Sequence, residues 1–565
     1  MSRPAAPVRG ADQGLRWPAA LTPVVFLVLA VAWTWPALTA PGLLGRKPDA
    51  AGTAWFISAA PRLLHGLHDP LTGWPLDVHY GRPDSFVLLG LGALLQPLDP
   101  ARAHSLVALV GVVLSAWAAE AFARALGARP PWSLLAGTAF AMSGLASTAL
   151  LEGYVYHLFD PWLPLLAWSW YRATRPGGTA LHGVVAGLMF VLCLLTTAWL
   201  GLAALPLVVG LLVAGLLRQG RATRPGPIVA AGLTVLLPAA LYLALFLAGG
   251  GGGQDRLDLA GNPSRPFLWG VVSLAGPLST VDVGGNSQAN TLPAVALVLT
   301  MAAPVVLRER QGWRGVALTG LLALAASLTP ALIPSMIVDP DPHGLAKAIS
   351  VLGASLLRFP DRLGWSFLLC AGAVGALVAT ELAARAARPP WPLLLMALVD
   401  AFGILRMPWR QQVALDQAPS AYAAARGPVL DLWPEEVSTA PSWELRTTNT
   451  DCFYQARHGR PITDLCIASP TLVSPRVRLG QWVNGQLLEG QDQEVGARLG
   501  ALGFSTLVLH ADFFAEADRQ ALEEGLARID PAPARSTDGG ELVLAYQIPV
   551  MPGADPAQAW AAWAR

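Results

Sequence analysis

The sequence predicts a polytopic α-helical membrane protein of about 11 transmembrane helices with a C-terminal soluble α/β domain. Only 13% of the 565 residues are charged, whereas a soluble protein of this length has about 25%. Hydrophobic residues make up 54% of the chain and form runs long enough to cross a bilayer, which takes about 20 residues. Arginines cluster between successive runs over the first four hundred residues. These features indicate a membrane protein and exclude an ordinary soluble enzyme.

The apolar runs give the order of the spans. Arginine near helix ends marks the cytoplasmic side, so residues 1–19 are expected inside the cell. A cleaved signal peptide is the alternative for residues 1–40, but the run from Leu21 to Leu38 exceeds the usual apolar region of about 7–15 residues. An odd number of spans then places the C-terminus outside. We place helices at 20–40, 103–123, 132–150, 158–172, 181–199, 202–217, 227–249, 291–307, 315–335, 363–382 and 390–408.

Three long loops are expected on the outer side of this transmembrane region, which covers residues 20–408. The chain has two lysines, Lys47 and Lys347, and both fall in these loops against the usual positive-inside trend. The apolar run Phe86–Leu98 is too short to span and is interpreted as an interfacial or re-entrant piece. The predicted outer loops are 41–102, 249–290 and 336–362.

Residues 409–565 differ in charge from the rest of the chain. They contain 19 acidic and 12 basic residues, whereas the preceding residues contain 18 acidic and 26 basic ones. Strands and helices alternate here, which is typical of a small layered sheet. We therefore predict an extracytoplasmic α/β domain, with strands at Val429–Leu432, 504–509 and 541–548 and helices at 494–502 and 515–528.

The four cysteines divide between the two regions. Cys193 and Cys370 lie in apolar spans, where packing explains them. Cys452 and Cys466 lie in the outer domain, and an oxidising periplasm would allow them to form a disulfide. Two unpaired thiols are the alternative interpretation.

Ionisable groups just outside the membrane are the candidates for chemistry. A carboxylate could take the proton from an acceptor hydroxyl, while cations hold a phosphate as charge develops on it. The predicted topology places acids and cations on the same outer side. The candidates are Asp49 as catalytic base, Glu152, His157 and Asp160 at an acceptor or metal site, and Lys347, Arg358 and Arg362 at a donor phosphate.

Each candidate also has a structural interpretation. Asp49 could cap a helix that begins near Ala50, because Asp is a favoured N-cap residue. Glu152 and Asp160 could be solvated loop charges, and the two late arginines could anchor a helix at the lipid interface.

Tryptophans pose the same choice between interpretations. The 21 tryptophans often lie at predicted helix ends, as expected of an aromatic belt. Trp55 and Trp74, both in the first loop, could instead stack on a sugar.

Four short segments resemble the GT-C superfamily of polytopic membrane glycosyltransferases. Asp49 follows the first helix closely, and Trp55-Phe56 comes after it. The segment Glu152–His157 is similar to a Glu-Gly-x-x-x-His motif of bacterial members, and Arg358–Arg362 looks like their Arg-x-Pro-x-Arg motif. The resemblance implies a polyprenyl-phosphate-linked sugar donor, an inverting transfer and Asp49 as base. Many members carry two adjacent acids in the first loop, whereas Ala50 follows Asp49 here, which leaves the use of a divalent metal ion open.

The sequence therefore predicts a glycosyltransferase of the bacterial inner membrane with its site in the outer, periplasmic loops. Its expected partners are the bilayer, a polyprenyl-phosphate-linked sugar and a glycan or lipid acceptor, with no nucleic acid. A transporter or flippase is one alternative, although no internal repeat is evident, as many transporters would show. A non-catalytic membrane scaffold that presents a periplasmic binding domain is the other.

Overall fold

The structure, a computed structural model, consists of a helical bundle up to residue 386 and a small sheet with flanking helices from residue 418 onward. It describes residues 21–35, 42–45, 48–75, 85–151, 153–219, 225–248, 294–310, 312–332, 363–386, 391–392, 395, 418–434, 448–463, 466, 475–538 and 541–563.

Helices occupy ten of the eleven predicted span positions, and the eleventh, 390–408, lies largely outside the described residues. The count of eleven spans stays a prediction. Three described helices are long and apolar enough to cross a membrane: Pro100–Leu126, Trp199–Leu217 and Gly364–Arg385. The described helices of the bundle are α1 Leu21–Thr34, α2 Pro48–Leu63, α3 Phe86–Leu95, α4 Pro100–Leu126, α5 Leu134–Ala141, α6 Gly144–Leu151, α7 Val155–Leu158, α8 Trp162–Ala173, α9 Ala180–Thr196, α10 Ala198–Gln219, α11 Pro225–Ala248, α12 Ala294–Val306, α13 Trp313–Leu332 and α14 Gly364–Arg385.

Helix α4 has well-defined signals at both ends. Asp99 caps its start, with Oδ1 accepting a hydrogen bond from the backbone N–H of Ala101 at 3.0 Å, and Pro100 follows at the first helical position. Gly127 ends the helix in the left-handed conformation at φ +105°. These signals fix the length of α4, which crosses the bundle beside α1, α5, α7 and α8.

Helix α14 forms the centre of the later part of the bundle. It is buried along most of its length and contacts α4, α5, α10, α12 and α13. Gly372 faces α5, where a Cβ atom would lie 3.2 Å from the Ala139 side chain and 3.3 Å from Ala136. Small residues at such crossings let two helix backbones approach closely, which is how helices associate in lipid.

The prediction of one helix over 132–150 is wrong. The chain forms α5 and α6 instead, with a break at Met142 and Ser143. Ser143 accepts a hydrogen bond on Oγ from the N–H of Ala146 at 3.3 Å, which supports the start of α6. Ser143-Gly144 thus supplies a new helix start inside an apolar run, and hydropathy alone does not register it.

The first predicted outer loop contains two helices, α2 and α3. The apolar run predicted to lie at the interface is α3, and it packs on α2. Gly92 of α3 approaches α2 so closely that a Cβ atom would lie 2.5 Å from the carbonyl oxygen of Ile57. The run is therefore packed against protein along this face.

The C-terminal part contains a four-stranded sheet of order β1-β2-β4-β3. β1 pairs with β2 in parallel, and the other neighbours are antiparallel. The predicted strand at Val429–Leu432 is present with the same ends, and the other predicted strands and helices are present with ends shifted by a few residues. The strands are β1 Val429–Leu432, β2 Thr506–His510, β3 Ala534–Ser536 and β4 Val543–Gln547, and the helices are α15 Thr448–His458, α16 Pro475–Leu488, α17 Asp492–Ala501, α18 Glu516–Ile529 and α19 Pro556–Trp563.

Helix α15 joins the two parts of the structure because it packs against α2. The indole N–H of Trp55 in α2 donates to Oε1 of Gln455 in α15 at 2.9 Å, and both side chains are buried. Arg457 of α15 forms an ion pair with Asp99, the residue that caps α4. The C-terminal part is thus fastened to the first loop by one buried hydrogen bond and one partly buried ion pair.

A second contact joins the loop after α2 to the sheet region. Trp74 Nε1 donates to the carbonyl oxygen of Leu502 at 3.0 Å, and the backbone N–H of Trp74 donates to the carbonyl of Ile462 at 2.9 Å. The N–H of Ile462 in turn donates to the carbonyl of Leu71 at 3.0 Å. Trp74 therefore bridges the two parts, as Trp55 does.

The cysteines follow the same division as the two parts. A disulfide joins Cys452 of α15 to Cys466, with the two Cα atoms 5.7 Å apart. Cys193 and Cys370 are free and buried in the helical bundle.

Candidate functional site

The start of α2 lies directly against the segment that follows Glu152. Gly153 has φ +77°, and a Cβ atom on it would lie 2.3 Å from Cα of Ala50, so no larger residue fits here without a shift. Because Ala50 follows Asp49 and Gly153 follows Glu152, the two chain segments that carry the predicted acids are brought together. The Asp49 side chain and the whole of Glu152 lie outside the described residues.

Asp49 belongs to the first turn of α2, which begins at Pro48. The alternative in which Asp49 caps a helix that starts near Ala50 is therefore wrong by two positions. Proline is favoured at the first helical position because its missing N–H is not needed there. An acidic residue in the first turn is stabilised by the partial positive charge of the helix N-terminus.

Helix α4 holds the segment 153–160 from the other side through three residues. His104 Nε2 lies 3.3 Å from the carbonyl oxygen of Gly153, and since a carbonyl only accepts, Nε2 carries the proton in this contact. Gly111 packs so closely that a Cβ atom would lie 2.8 Å from the backbone nitrogen of Phe159. Ser115 is one helical turn further along, and the spacing of seven and then four residues puts all three on one face.

Ser115 forms two hydrogen bonds to the far end of this segment. Its hydroxyl donates to the carbonyl oxygen of Leu158 and accepts from the N–H of Asp160, both at 3.0 Å. The short helix α7 between Gly153 and Asp160 is thereby held at both ends. The irregular backbone of a buried segment must have its polar groups satisfied in this way.

His157 and Asp160 are the two predicted site residues whose side chains the structure describes in this segment, and both are buried. The His157 ring lies among tyrosines, 4.6 Å from the Tyr156 ring centroid and 5.9 Å from that of Tyr154. Asp160 Oδ1 accepts a hydrogen bond from the N–H of Leu163 at 3.1 Å and so supports the start of α8. Asp160 Oδ2 has no hydrogen-bond partner among the described residues. Asp160 is therefore a buried helix-capping acid, which differs from the solvated loop charge that the sequence offered as an alternative.

The sugar-stacking interpretation of Trp55 and Trp74 is wrong for Trp55, whose side chain is fully buried between α2 and α15. Trp74 is half-buried and directs its indole N–H to the backbone of Leu502. Both residues connect the two parts of the molecule.

The predicted phosphate-binding cations Lys347, Arg358 and Arg362 lie outside the described residues. Their assignment stays a prediction. The structure adds His104, Gly111 and Ser115, which the sequence analysis missed. Their common helical face within an apolar run was the signal that could have identified them.

Comparison with solved structures identifies the fold. The chain is similar to the arabinofuranosyltransferase AftD from Mycobacteria, with a TM-score of 0.56 and 16% identity over 95% of this chain and 40% of that one. A mutant of the same enzyme gives a TM-score of 0.50 and 16% identity over 94% and 42% of the two chains. ArnT from Cupriavidus metallidurans has a TM-score of 0.42 and 13% identity over 94% of this chain and 98% of that one.

The likeness to AftD confirms the GT-C-like fold that the sequence predicts, and the three long apolar helices of the bundle support a membrane location. The chain spans about two fifths of the length of that enzyme. No protein-family model and no curated protein sequence matches the chain.

Proposed function

We propose that the protein is a membrane glycosyltransferase that moves a sugar from a polyprenyl-phosphate-linked donor to a periplasmic glycan or a lipid-linked acceptor. The observation that carries the proposal is the contact of Gly153 with Ala50, which brings the Asp49 and Glu152 segments together within a fold like that of an arabinofuranosyltransferase. The named activity of AftD makes a pentofuranose one candidate sugar, and a hexose is the other.

The proposed reaction is a displacement at the anomeric carbon with inversion. The Asp49 carboxylate takes the proton from an acceptor hydroxyl as its oxygen attacks the anomeric carbon. The bond from that carbon to the phosphate oxygen breaks, and its electron pair stays on the polyprenyl phosphate. Glu152, His157 and Asp160 would shape the acceptor site, and Lys347, Arg358 and Arg362 would hold the departing phosphate. The step is written with the acids and cations of this chain alone, and the use of a divalent metal ion stays open.

The C-terminal part supports this site by covering α2. In the proposed orientation the bundle lies in the bacterial inner membrane, and the sheet region, residues 409–565, lies in the periplasm. The contacts of α15 with α2 and Asp99 would then fix the helix that carries the base. This gives the outer domain a supporting role and does not require it to bind substrate.

The test is sugar transfer by the full-length chain in proteoliposomes with labelled polyprenyl-phosphate pentose or hexose. Asp49→Asn should reduce the turnover number about 10²–10⁴-fold with little change in thermal unfolding, because the amide cannot accept the proton. The matched control is Asp518→Asn, because Asp518 is also an acid in the first turn of a helix, α18, but is exposed and lies in the C-terminal part.

Two results would contradict the proposal. Retained transfer in Asp49→Asn would remove this residue as the base. Movement of the labelled lipid across the bilayer without any transfer in the unmodified protein would favour a flippase, and neither activity would favour a scaffold.

A further inference from the structure

A second cluster of buried polar side chains lies in the C-terminal part, away from the proposed glycosyltransferase site. Asp431 lies in β1, His510 ends the adjacent parallel strand β2, and Asp451 lies in α15. All three side chains are at most 2% exposed. One oxygen of each carboxylate and one ring nitrogen of the histidine all lie within 4.8 Å of one another. Among the described residues, this is where three such donors converge.

We propose that Asp431, Asp451 and His510 bind one divalent cation of the first transition row, Zn²⁺ or Mn²⁺. One imidazole nitrogen with two carboxylate oxygens is a mixed donor set that suits these ions better than Ca²⁺ or Mg²⁺, which prefer oxygen alone. The proposal does not depend on the glycosyltransferase function.

The groups around the three donors form the outer layer that a metal site requires. His510 Nδ1 lies 2.5 Å from Oε1 of Glu541, so the carboxylate holds the proton on Nδ1 and leaves Nε2 directed toward Asp431. Metal-binding histidines almost always donate their other ring N–H in this way. Tyr422 donates its hydroxyl to Asp431, and Trp433 donates its indole N–H to Asp451 at 3.0 Å. Each proposed ligand is thus oriented by a second group.

The spacing of two of the donor atoms leaves room for a shared ion. His510 Nε2 lies 3.4 Å from Oδ1 of Asp431, whereas a direct hydrogen bond between an imidazolium and a carboxylate is about 2.7–2.9 Å long. Two ligand atoms that share a tetrahedral ion, with bonds of about 2.0–2.1 Å, lie about 3.3 Å apart. The separation of 3.4 Å is close to this value, and the Tyr422 hydroxyl also lies 3.2 Å from Nε2.

The burial of the three side chains and the negative charge of the two carboxylates both favour a bound cation. The Trp433 ring stacks on His510 at 3.5 Å between centroids and covers the site. The carboxylates of Asp431 and Asp451 are at most 2% exposed, and a buried charge is costly unless an opposite charge pairs with it, which a bound cation would supply.

The consequence concerns the contact between the two parts of the molecule. Asp451 belongs to the same helix as Gln455 and Arg457, which bond to Trp55 and Asp99. A bound ion would tie this helix to β1 and β2 and would hold it in place against α2.

The test uses the full-length protein in detergent, stripped with a chelator and reloaded at pH 7.5 with Zn²⁺ or Mn²⁺. Elemental analysis should find about one ion per chain in the unmodified protein. Asp431→Asn and Asp451→Asn should each raise the dissociation constant of the ion at least about tenfold. Glu541→Gln should raise it about 10–100-fold, because it removes the group that orients His510. A double variant Asp49→Asn with Glu152→Gln should bind the ion unchanged.

Three results would overturn the proposal. The first is that the unmodified protein binds no ion after reloading. The second is that folded Asp431→Asn and Asp451→Asn bind the ion with unchanged affinity. The third is that only the double variant Asp49→Asn with Glu152→Gln loses the ion. The last would assign the ion to the proposed transferase site and would leave that function standing. The Glu541→Gln measurement keeps the test decisive if a ligand variant does not fold.

Discussion

The helical bundle and the C-terminal part bury polar side chains for different purposes. In the bundle, His104 and Ser115 direct their hydrogen bonds to backbone groups of the segment 153–160. In the C-terminal part, His510 lies between the carboxylates of Asp431 and Glu541. In this segment of the bundle, polar side chains thus bond mainly to the backbone, as Asp160 also does, while in the sheet region charged side chains of separate elements face one another.

The difference follows from the surroundings of each part. In lipid, an unsatisfied backbone group costs several kcal/mol, so irregular segments must be bonded internally. Neutral hydroxyl and imidazole groups do this without adding charge. A small sheet domain has limited apolar area, and a buried charge cluster or metal site can join its elements. The predictions that follow test each side of this comparison.

The largest loss of stability is expected where the segment 153–160 of the bundle contacts α2. Gly153→Ala must both adopt φ +77° and displace Ala50, and backbone strain and overpacking each cost about 1–3 kcal/mol. We expect a marked drop in the unfolding temperature and loss of sugar transfer. The control is Gly177→Ala, which has φ +85° with nothing within 4 Å of its Cβ position and so carries only the strain. Equal effects of the two changes would show that the contact is unimportant.

A smaller loss of stability is expected in the cluster of charged side chains around Asp431 and His510. Tyr422→Phe removes the hydroxyl that donates to buried Asp431, and a hydrogen bond to a charged group contributes about 1.5–3 kcal/mol. Amide exchange of β1 and β2 should accelerate about 10–100-fold, while the bundle amides stay protected. Arg528→Ala breaks a half-exposed ion pair with Asp492 and should change the exchange little. Similar acceleration by both variants would argue against a special role for the cluster.

The next smaller loss of stability is expected at the contact between the bundle and the C-terminal part. Trp55→Phe leaves Oε1 of Gln455 buried without its donor, which costs about 1–3 kcal/mol. The rate of amide hydrogen exchange should increase both in α15 and at the start of α2. Trp117→Phe, at a side chain of α4 that is 47% exposed, supplies the control. Exchange that rises in α2 alone would mean that α15 is held by other contacts.

The smallest loss of stability is expected from the removal of one hydroxyl group in the bundle. Ser115→Ala removes bonds to the backbone of Leu158 and Asp160, each worth about 0.5–1.5 kcal/mol. We expect a lower turnover number with little change in KM for the donor. Ser105→Ala on the same helix loses a bond to its own helix carbonyl at Ala101 and should be nearly neutral. A rise in KM with unchanged turnover would indicate that the segment binds donor and is not positioned for the reaction.

The sequence predicted those features of the fold that are local. Apolar length located the helices, and alternation located β1, β2 and β4. The predicted topology placed Asp49 and Glu152 on the same outer side but did not predict the contact of Gly153 with Ala50. The break at Ser143 was missed because a helix start within an apolar run changes hydropathy little.

The polar contacts between elements were not predictable in the same way. Ser115 is separated from Leu158 by 43 positions and Asp431 from His510 by 79. No local periodicity links such pairs, because the packing of whole elements brings them together. Trp55 shows the same limit, since an aromatic residue in a loop is equally compatible with stacking on a sugar and with burial under a distant helix.

The hydrogen bond between Trp55 and Gln455 joins residues 400 positions apart. During synthesis at about 5–20 residues per second, roughly 20–80 seconds pass between the appearance of the indole and that of its acceptor. Until then the face of α2 that receives α15 has no cover. The arrangement around the proposed base is therefore completed only near the end of biogenesis, so a prematurely terminated chain would insert in the membrane without an assembled transfer site.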